Sequence, residues 1–98
     1  MPSYRLVLAV GTLGPGVDPA TVLPTTAAAA RERVTVEAFD VEVVRGQARV
    51  VVRYSADDDA QALAAGRGVR AVVSGMAHVT DSAITRRYGA RWYACRDS

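Results

Sequence analysis

The sequence predicts an α+β chain: a ferredoxin-like βαββαβ sandwich with an extra C-terminal strand and two helices on one face of an antiparallel sheet. Three observations lead there. A nearly unbroken apolar run, SYRLVLAV, occupies residues 3–10; a hairpin pattern, FDVEVVRGQARVVVRY, fills residues 39–54; and two stretches of helical character separate these from a terminal hairpin.

The run at 3–10 has no polar alternation and stops at Gly11, as expected of a central strand buried on both faces. GTLGPGV then reads as a loop. Asp18 offers a helix N-cap, and Pro19 suits the first helical position, where its missing N–H is no loss. Pro24 interrupts the pattern, so the expectation is one short turn at 19–23 followed by a helix over 25–33.

In the middle segment, a type II′ turn at Gly46–Gln47 sets Val43 opposite Val50, Val41 opposite Val52 and Phe39 opposite Tyr54. The other side then pairs Asp40 with Arg53 and Val44 with Arg49, giving one apolar and one mostly polar face. Val34 and Val36 fall in the opposite phase, which a bulge near Glu37–Ala38 reconciles.

Residues 55–76 read as a second helix capped by Ser55 or Asp57. Ala62, Ala65, Gly66, Val69, Val72, Val73 and Met76 form its apolar stripe. Gly66 and Gly68 each cost about 1 kcal/mol in a helix interior. A rival reading ends the helix at Gly66 and makes VRAVVS a strand, but the 3.6-residue period crosses both glycines.

DSAITRRYGARWYACR is the terminal hairpin. A type II′ turn at Gly89–Ala90 pairs Tyr88 with Arg91, Arg86 with Tyr93 and Ile84 with Cys95 on one side. The other side pairs Arg87 with Trp92, Thr85 with Ala94 and Ala83 with Arg96, so each arginine near the turn faces an aromatic.

Ninety-eight residues, half of them apolar and 22% charged, suit one domain over residues 1–98 with a single core. All twelve basic residues are arginine, a bias that fits a GC-rich bacterial coding sequence. The net charge of +2 is concentrated: residues 86–96 hold four arginines and no acid, while the rest of the chain is net acidic. No apolar run is long enough to span a membrane, and Gly11 breaks off any signal-peptide core. Cys95 is alone, so no internal disulfide forms and a cytoplasmic location is expected.

The candidate binding residues are Arg86, Arg87, Tyr88, Arg91, Trp92, Tyr93 and Arg96. Tryptophan flanked by arginines is the side-chain chemistry of protein hot spots. The leading expectation is therefore a small non-catalytic protein that binds a protein partner, or forms a homo-oligomer such as a dimer, through its sheet face and this hairpin. A purely structural role for the cluster, stapling a hairpin poor in aliphatic residues, competes with it. The alternative function is single-stranded nucleic-acid binding, with arginines on phosphates and Trp92 or Tyr88 stacked on bases. A third is a small-molecule pocket or small enzyme between sheet and helices, with His78 or Tyr54 at its rim.

Weaker signals are given bland readings. GTLGPG lacks the Gly-Lys-Ser/Thr of a phosphate loop. Asp57, Asp58 and Asp59 suit a helix start better than a cation. His78 suits a helix C-terminus, and Cys95 an inert core thiol. No catalytic residue, metal or cofactor is expected, and no membrane partner.

Overall fold

The apolar run near the N-terminus becomes the middle of the sheet. The computed structural model describes residues 1–95. Strand β1 (Ser3–Leu13) leads to helix α1 (Pro19–Arg31), then to strands β2 (Thr35–Val44) and β3 (Gln47–Ser55). Helix α2 (Asp59–Ser74) and strands β4 (Ala77–Tyr88) and β5 (Arg91–Ala94) follow. The strands are all antiparallel in the order β2-β3-β1-β4-β5, with both helices on one face: the ferredoxin-like arrangement with an added strand.

Alternation along β1 and β3 sends Tyr4, Leu6, Leu8, Val50, Val52 and Tyr54 under the helices, where all are buried. They meet Ala30 of α1 and Ala62, Ala65, Val69 and Val73 of α2. The two buried phenols are satisfied. Tyr54 donates to the carbonyl of Ala62 at 2.9 Å and Tyr4 to Asp59 at 2.7 Å, and their rings stack 5.8 Å apart. Gly66 lies on the buried stripe of α2 and is needed there. A Cβ at this position would collide with Cδ1 of Ile84 and lie 3.3 Å from its Cγ1, so glycine lets α2 settle onto β4.

Four expectations are corrected. Helix α1 runs unbroken through Pro24. That residue forfeits one backbone hydrogen bond early in the helix, and its exposed ring meets solvent while Val22, Thr26, Ala27 and Ala30 stay buried. The cap of α2 is Asp58, whose carboxylate accepts from the N–H of Gln61 at 2.8 Å, rather than Ser55 or Asp57. The turn of the middle hairpin is Arg45–Gly46, both at positive φ (53° and 78°), not Gly46–Gln47. This type I′ turn moves the register by two residues, so Val41 faces Val50 and Phe39 faces Val52. A shift of two keeps every side chain on its expected face but replaces the pairs: Asp40 opposes Val51 and Glu42 opposes Arg49. Finally, the chain past α2 is already strand at Ala77, so His78 sits on β4 and not at the helix end.

Other expectations hold in detail. Asp18 caps α1, accepting from the N–H of Ala20 at 3.0 Å, and Pro19 is its first residue. The bulge falls between Val36 and Ala38, and α2 continues through both glycines to Ser74. The terminal hairpin has the expected register, with Arg86 opposite Tyr93 and Arg87 opposite Trp92 around Gly89 at φ 61°. The pair of Ala83 with Arg96 lies outside the described residues.

The edges of the sheet are β2 on one side and, on the other, β5 together with the part of β4 before Thr85 that β5 does not cover. Glu37, Asp40 and Glu42 punctuate β2, and the Asp40 carboxylate takes the N–H of Val41 at 2.8 Å. No helix among the described residues is long and apolar enough to cross a membrane.

Candidate functional site

Alternation divides the terminal hairpin between two surfaces. Arg86, Tyr88, Arg91 and Tyr93 lie on the helix side of the sheet, whereas Arg87 and Trp92 lie on the side without helices. Arg96 lies outside the described residues. The seven residues singled out from the sequence therefore do not form one patch.

On the helix side the hairpin is tied to the start of α2. Arg86 donates to the Asp59 carboxylate at 2.8 Å, and the Tyr4 hydroxyl donates to the same oxygen at 2.7 Å. These two bonds, the one from Tyr4 first, hold the Asp59 carboxyl below the usual carboxylate range, and Asp59 in turn raises Arg86. Burial, then the bond to Asp59, pushes the Tyr4 phenol above its ordinary range. The Arg86 guanidinium also lies 4.8 Å from the Tyr88 ring centre and 5.9 Å from that of Tyr4. Tyr88 and Tyr93 meet edge to face at 5.5 Å and remain about half exposed. This arrangement anchors β4 to β1 and α2, which is a structural task.

The opposite face is open, with no helix over it. Its side chains fall into rows across the strands. One row runs Glu42, Arg49, Ala9, Asp81; the next Asp40, Val51, Val7, Ala83; the third Ala38, Arg53, Arg5, Thr85, Ala94. Glu37 joins this face through the bulge, 3.2 Å from Arg53 Nε and accepting from the Ser3 hydroxyl at 2.9 Å. Arginines 5, 49, 53 and 87 are thus matched in number by Glu37, Asp40, Glu42 and Asp81. Among the described residues the face is neutral.

Trp92 reaches back over the third row. Its ring centre lies 4.9 Å from the guanidinium carbon of Arg5 and 5.6 Å from that of Arg53. The expected stacking on Arg87 does not occur: Arg87 Nε donates to the carbonyl of Gly89 at 2.7 Å, which turns it toward its own hairpin tip. Likewise Arg86 stacks on Tyr88 and Tyr4 rather than across on Tyr93. Reaching back also half-buries the indole.

On this face, Nε of Arg5 and Arg53 and Oγ1 of Thr85 in the third row, and Nε of Arg49 two rows away, are closed off from solvent without a hydrogen-bond partner. Arg53 Nε is close to Glu37, but not aligned to donate to it. Arg5 and Arg49 make no ion pair among the described residues. A buried donor without an acceptor costs about 1–3 kcal/mol, so four such atoms on one face require an explanation. A depression of about 260 Å3 adjoins them, lined by Arg5, Asp40, Val51, Arg53 and Trp92 among others. Sequence reasoning missed Arg5 and Arg53. They become neighbours only once β1 is placed between β3 and β4.

The remaining candidates are scattered. The hollow between α2 and β4 measures about 210 Å3 and is lined by Leu6, Leu63, Gly66, Arg70, Ser82, Ile84 and Cys95, without His78 or Tyr54. It is smaller than typical ligand pockets of about 300–1,000 Å3, and the hollow of about 350 Å3 that His78 does line is a shallow one at the end of α2, beside Gly14, Ser74 and Met76. Cys95 packs against the core, and burial pushes its thiol up, away from the reactive thiolate. His78 is exposed on β4, and the Asp81 carboxylate accepts from the N–H of Ser82, so these residues form no acid–base group. Of the three consecutive aspartates, Asp58 caps the helix and Asp59 holds Tyr4 and Arg86. Among the described residues no cluster of His, Cys, Asp or Glu is placed to hold a metal.

No protein-family model and no curated protein matches the sequence. The fold is similar to a crystal structure of a protein provisionally named a chlorite dismutase, with a TM-score of 0.54 and 19% identity over 88% of this chain. The match takes up 44% of that longer chain, so this chain spans less than half of it, and the likeness is one of fold.

Proposed function

We propose that this chain is a non-catalytic association domain that pairs with a second copy of itself through the open face of its sheet, with Trp92 and its flanking arginines at the contact. The observation that carries this reading is the face itself. It has no helix over it, it has an apolar middle of Val7, Val51 and Ala83, and among the described residues its four arginines are balanced by four acids. A neutral mixed face does not repel its own copy. A nucleic-acid surface would instead carry an excess of positive charge. Since 88% of this chain matches 44% of the similar structure, that structure is twice as long, and two copies of this chain equal its length.

Light scattering after size exclusion tests this with wild type and Val51→Glu. The substitution places a charge in the middle of the face and leaves the core side of β3 intact. A wild-type dimer and a folded monomeric variant are expected. A wild type that stays monomeric at high micromolar concentration overturns the reading. Tight single-stranded RNA binding that weakens steeply with salt would replace it with the nucleic-acid alternative.

A further inference from the structure

We propose that Arg5 and Arg53, with Thr85 and Trp92, form a binding site for a small oxyanion, a carboxylate or a phosphate, on the open face of the sheet. The two arginines are direct cross-strand neighbours, and Thr85 is the neighbour of Arg5 on the other side. In this one row Nε of Arg5 and Oγ1 of Thr85 lack partners, and Nε of Arg53 meets Glu37 at 3.2 Å as an ion pair without a hydrogen bond. Both guanidiniums rest against the Trp92 ring, at 4.9 and 5.6 Å. Stacking of this kind fixes the plane of a guanidinium and leaves its N–H edge to fork onto two oxygens of a carboxylate or phosphate.

Two arginines and two carboxylates surround the site, and among the described residues only Arg5 of the two arginines is left without an ion pair. Glu37 lies beside Arg53, and Arg5 has no carboxylate within ion-pair distance among the described residues. Asp40 stands at the rim of the adjoining depression, on β2, and limits the site to small anions. The depression, about 260 Å3, has room for a phosphate or a short carboxylate. Because the Trp92 ring lies against both guanidiniums, an anion that draws their N–H edges onto its oxygens shifts the ring while it stays stacked.

This movement supplies the assay, for Trp92 is the protein's one tryptophan. Its emission is followed while chloride is exchanged for inorganic phosphate, or for acetate, at constant ionic strength. A saturable change is expected, with affinity at least tenfold weaker in Arg5→Lys and in Arg53→Lys. Lysine keeps the charge and loses the fork, so undiminished binding in both variants would reduce the effect to charge screening and overturn the site. No saturable change with either anion also overturns it. A response to phosphate alone, or to acetate alone, assigns the site to that anion.

The site shares the face proposed for self-association without depending on it. The same titration, run on wild type at a concentration where light scattering finds monomer, separates the two ideas. Binding by the monomer supports the site whether or not wild type dimerises at higher concentration, and a monomer blind to both anions overturns the site while leaving association standing.

Discussion

Trp92 is tied to arginines distant in sequence and not to the arginine directly across its own hairpin, and a double-mutant cycle measures the difference. The guanidiniums of Arg5 and Arg53, at 4.9 and 5.6 Å from the ring centre, are inside the contact range of about 6 Å. Such pairs contribute about 0.5–1 kcal/mol at exposed sites and about 2 when desolvated. Trp92, Arg5 and Arg53 are all half-buried, so about 1 kcal/mol per pair is the working figure. Trp92→Ala then costs about 2 kcal/mol before lost packing is counted, which for a domain of this size is a fall in Tm of roughly 8–16 °C. Urea denaturation of wild type, Trp92→Ala, Arg5→Gln and the double variant, followed by far-ultraviolet circular dichroism at one dilute protein concentration, gives the coupling energy. The expected coupling with Arg5 is about 1 kcal/mol. A parallel cycle with Arg87, whose Nε is engaged by the Gly89 carbonyl, should give clearly less. A coupling to Arg87 that equals or exceeds the one to Arg5 refutes the placement of the indole.

Two further predictions concern stability. Arg45 holds a left-handed conformation at φ 53° in a type I′ turn that favours Asn-Gly, so Arg45→Asn should raise stability by about 0.5–1 kcal/mol, read as a higher urea midpoint at unchanged slope. A lower midpoint would mean that the arginine side chain contributes more than the turn geometry costs. The second is a loss of stability in alkali. Burial raises the phenols of both Tyr4 and Tyr54, so they stay protonated in the fold after their unfolded counterparts ionise. Their contribution is complete below about pH 10 and is lost above it, at about 1.4 kcal/mol per pH unit for each phenol. Tyr54→Phe should remove its share of that slope, and a midpoint that stays flat from about pH 10 to 11 would contradict the assignment.

How far the sequence could be read depended on how local each determinant was. The register of the terminal hairpin rests on a turn with one positive φ, at Gly89, where glycine is the natural occupant, and it was legible. The middle hairpin was legible in its faces but not in its register, because Arg45 takes a conformation that arginine seldom adopts and the lone Gly46 pointed to the neighbouring turn. Helix α1 hid its continuity behind Pro24, since the penalty of one lost bond is smaller than the gain from a buried alanine face. At the start of α2, three adjacent aspartates are equivalent in sequence, and only the path of the chain selects Asp58 as the cap. For the candidate surface, Trp92 and its side of the sheet were legible by alternation. Its partners Arg5 and Arg53 were not, because strand order and not sequence spacing brings them together.

The carboxylates along β2 decide what kind of assembly this sheet can join. An edge that accepts strands has no natural last member: each addition recreates the edge that was filled, and material grows into fibres as concentration rises. Here Asp40 already occupies the outward N–H of Val41, a second β2 would bring acids against acids, and on the opposite side, where the four residues of β5 cover only Thr85–Tyr88 of β4, the Asp81 carboxylate takes the N–H of Ser82 on the uncovered part. Contacts made through a face behave differently, because two copies related by a two-fold axis use up the same patch on each other. On the proposed pairing, a protein with guarded edges and an open face assembles to a fixed stoichiometry, and its response to crowding is to fill dimers and then stop.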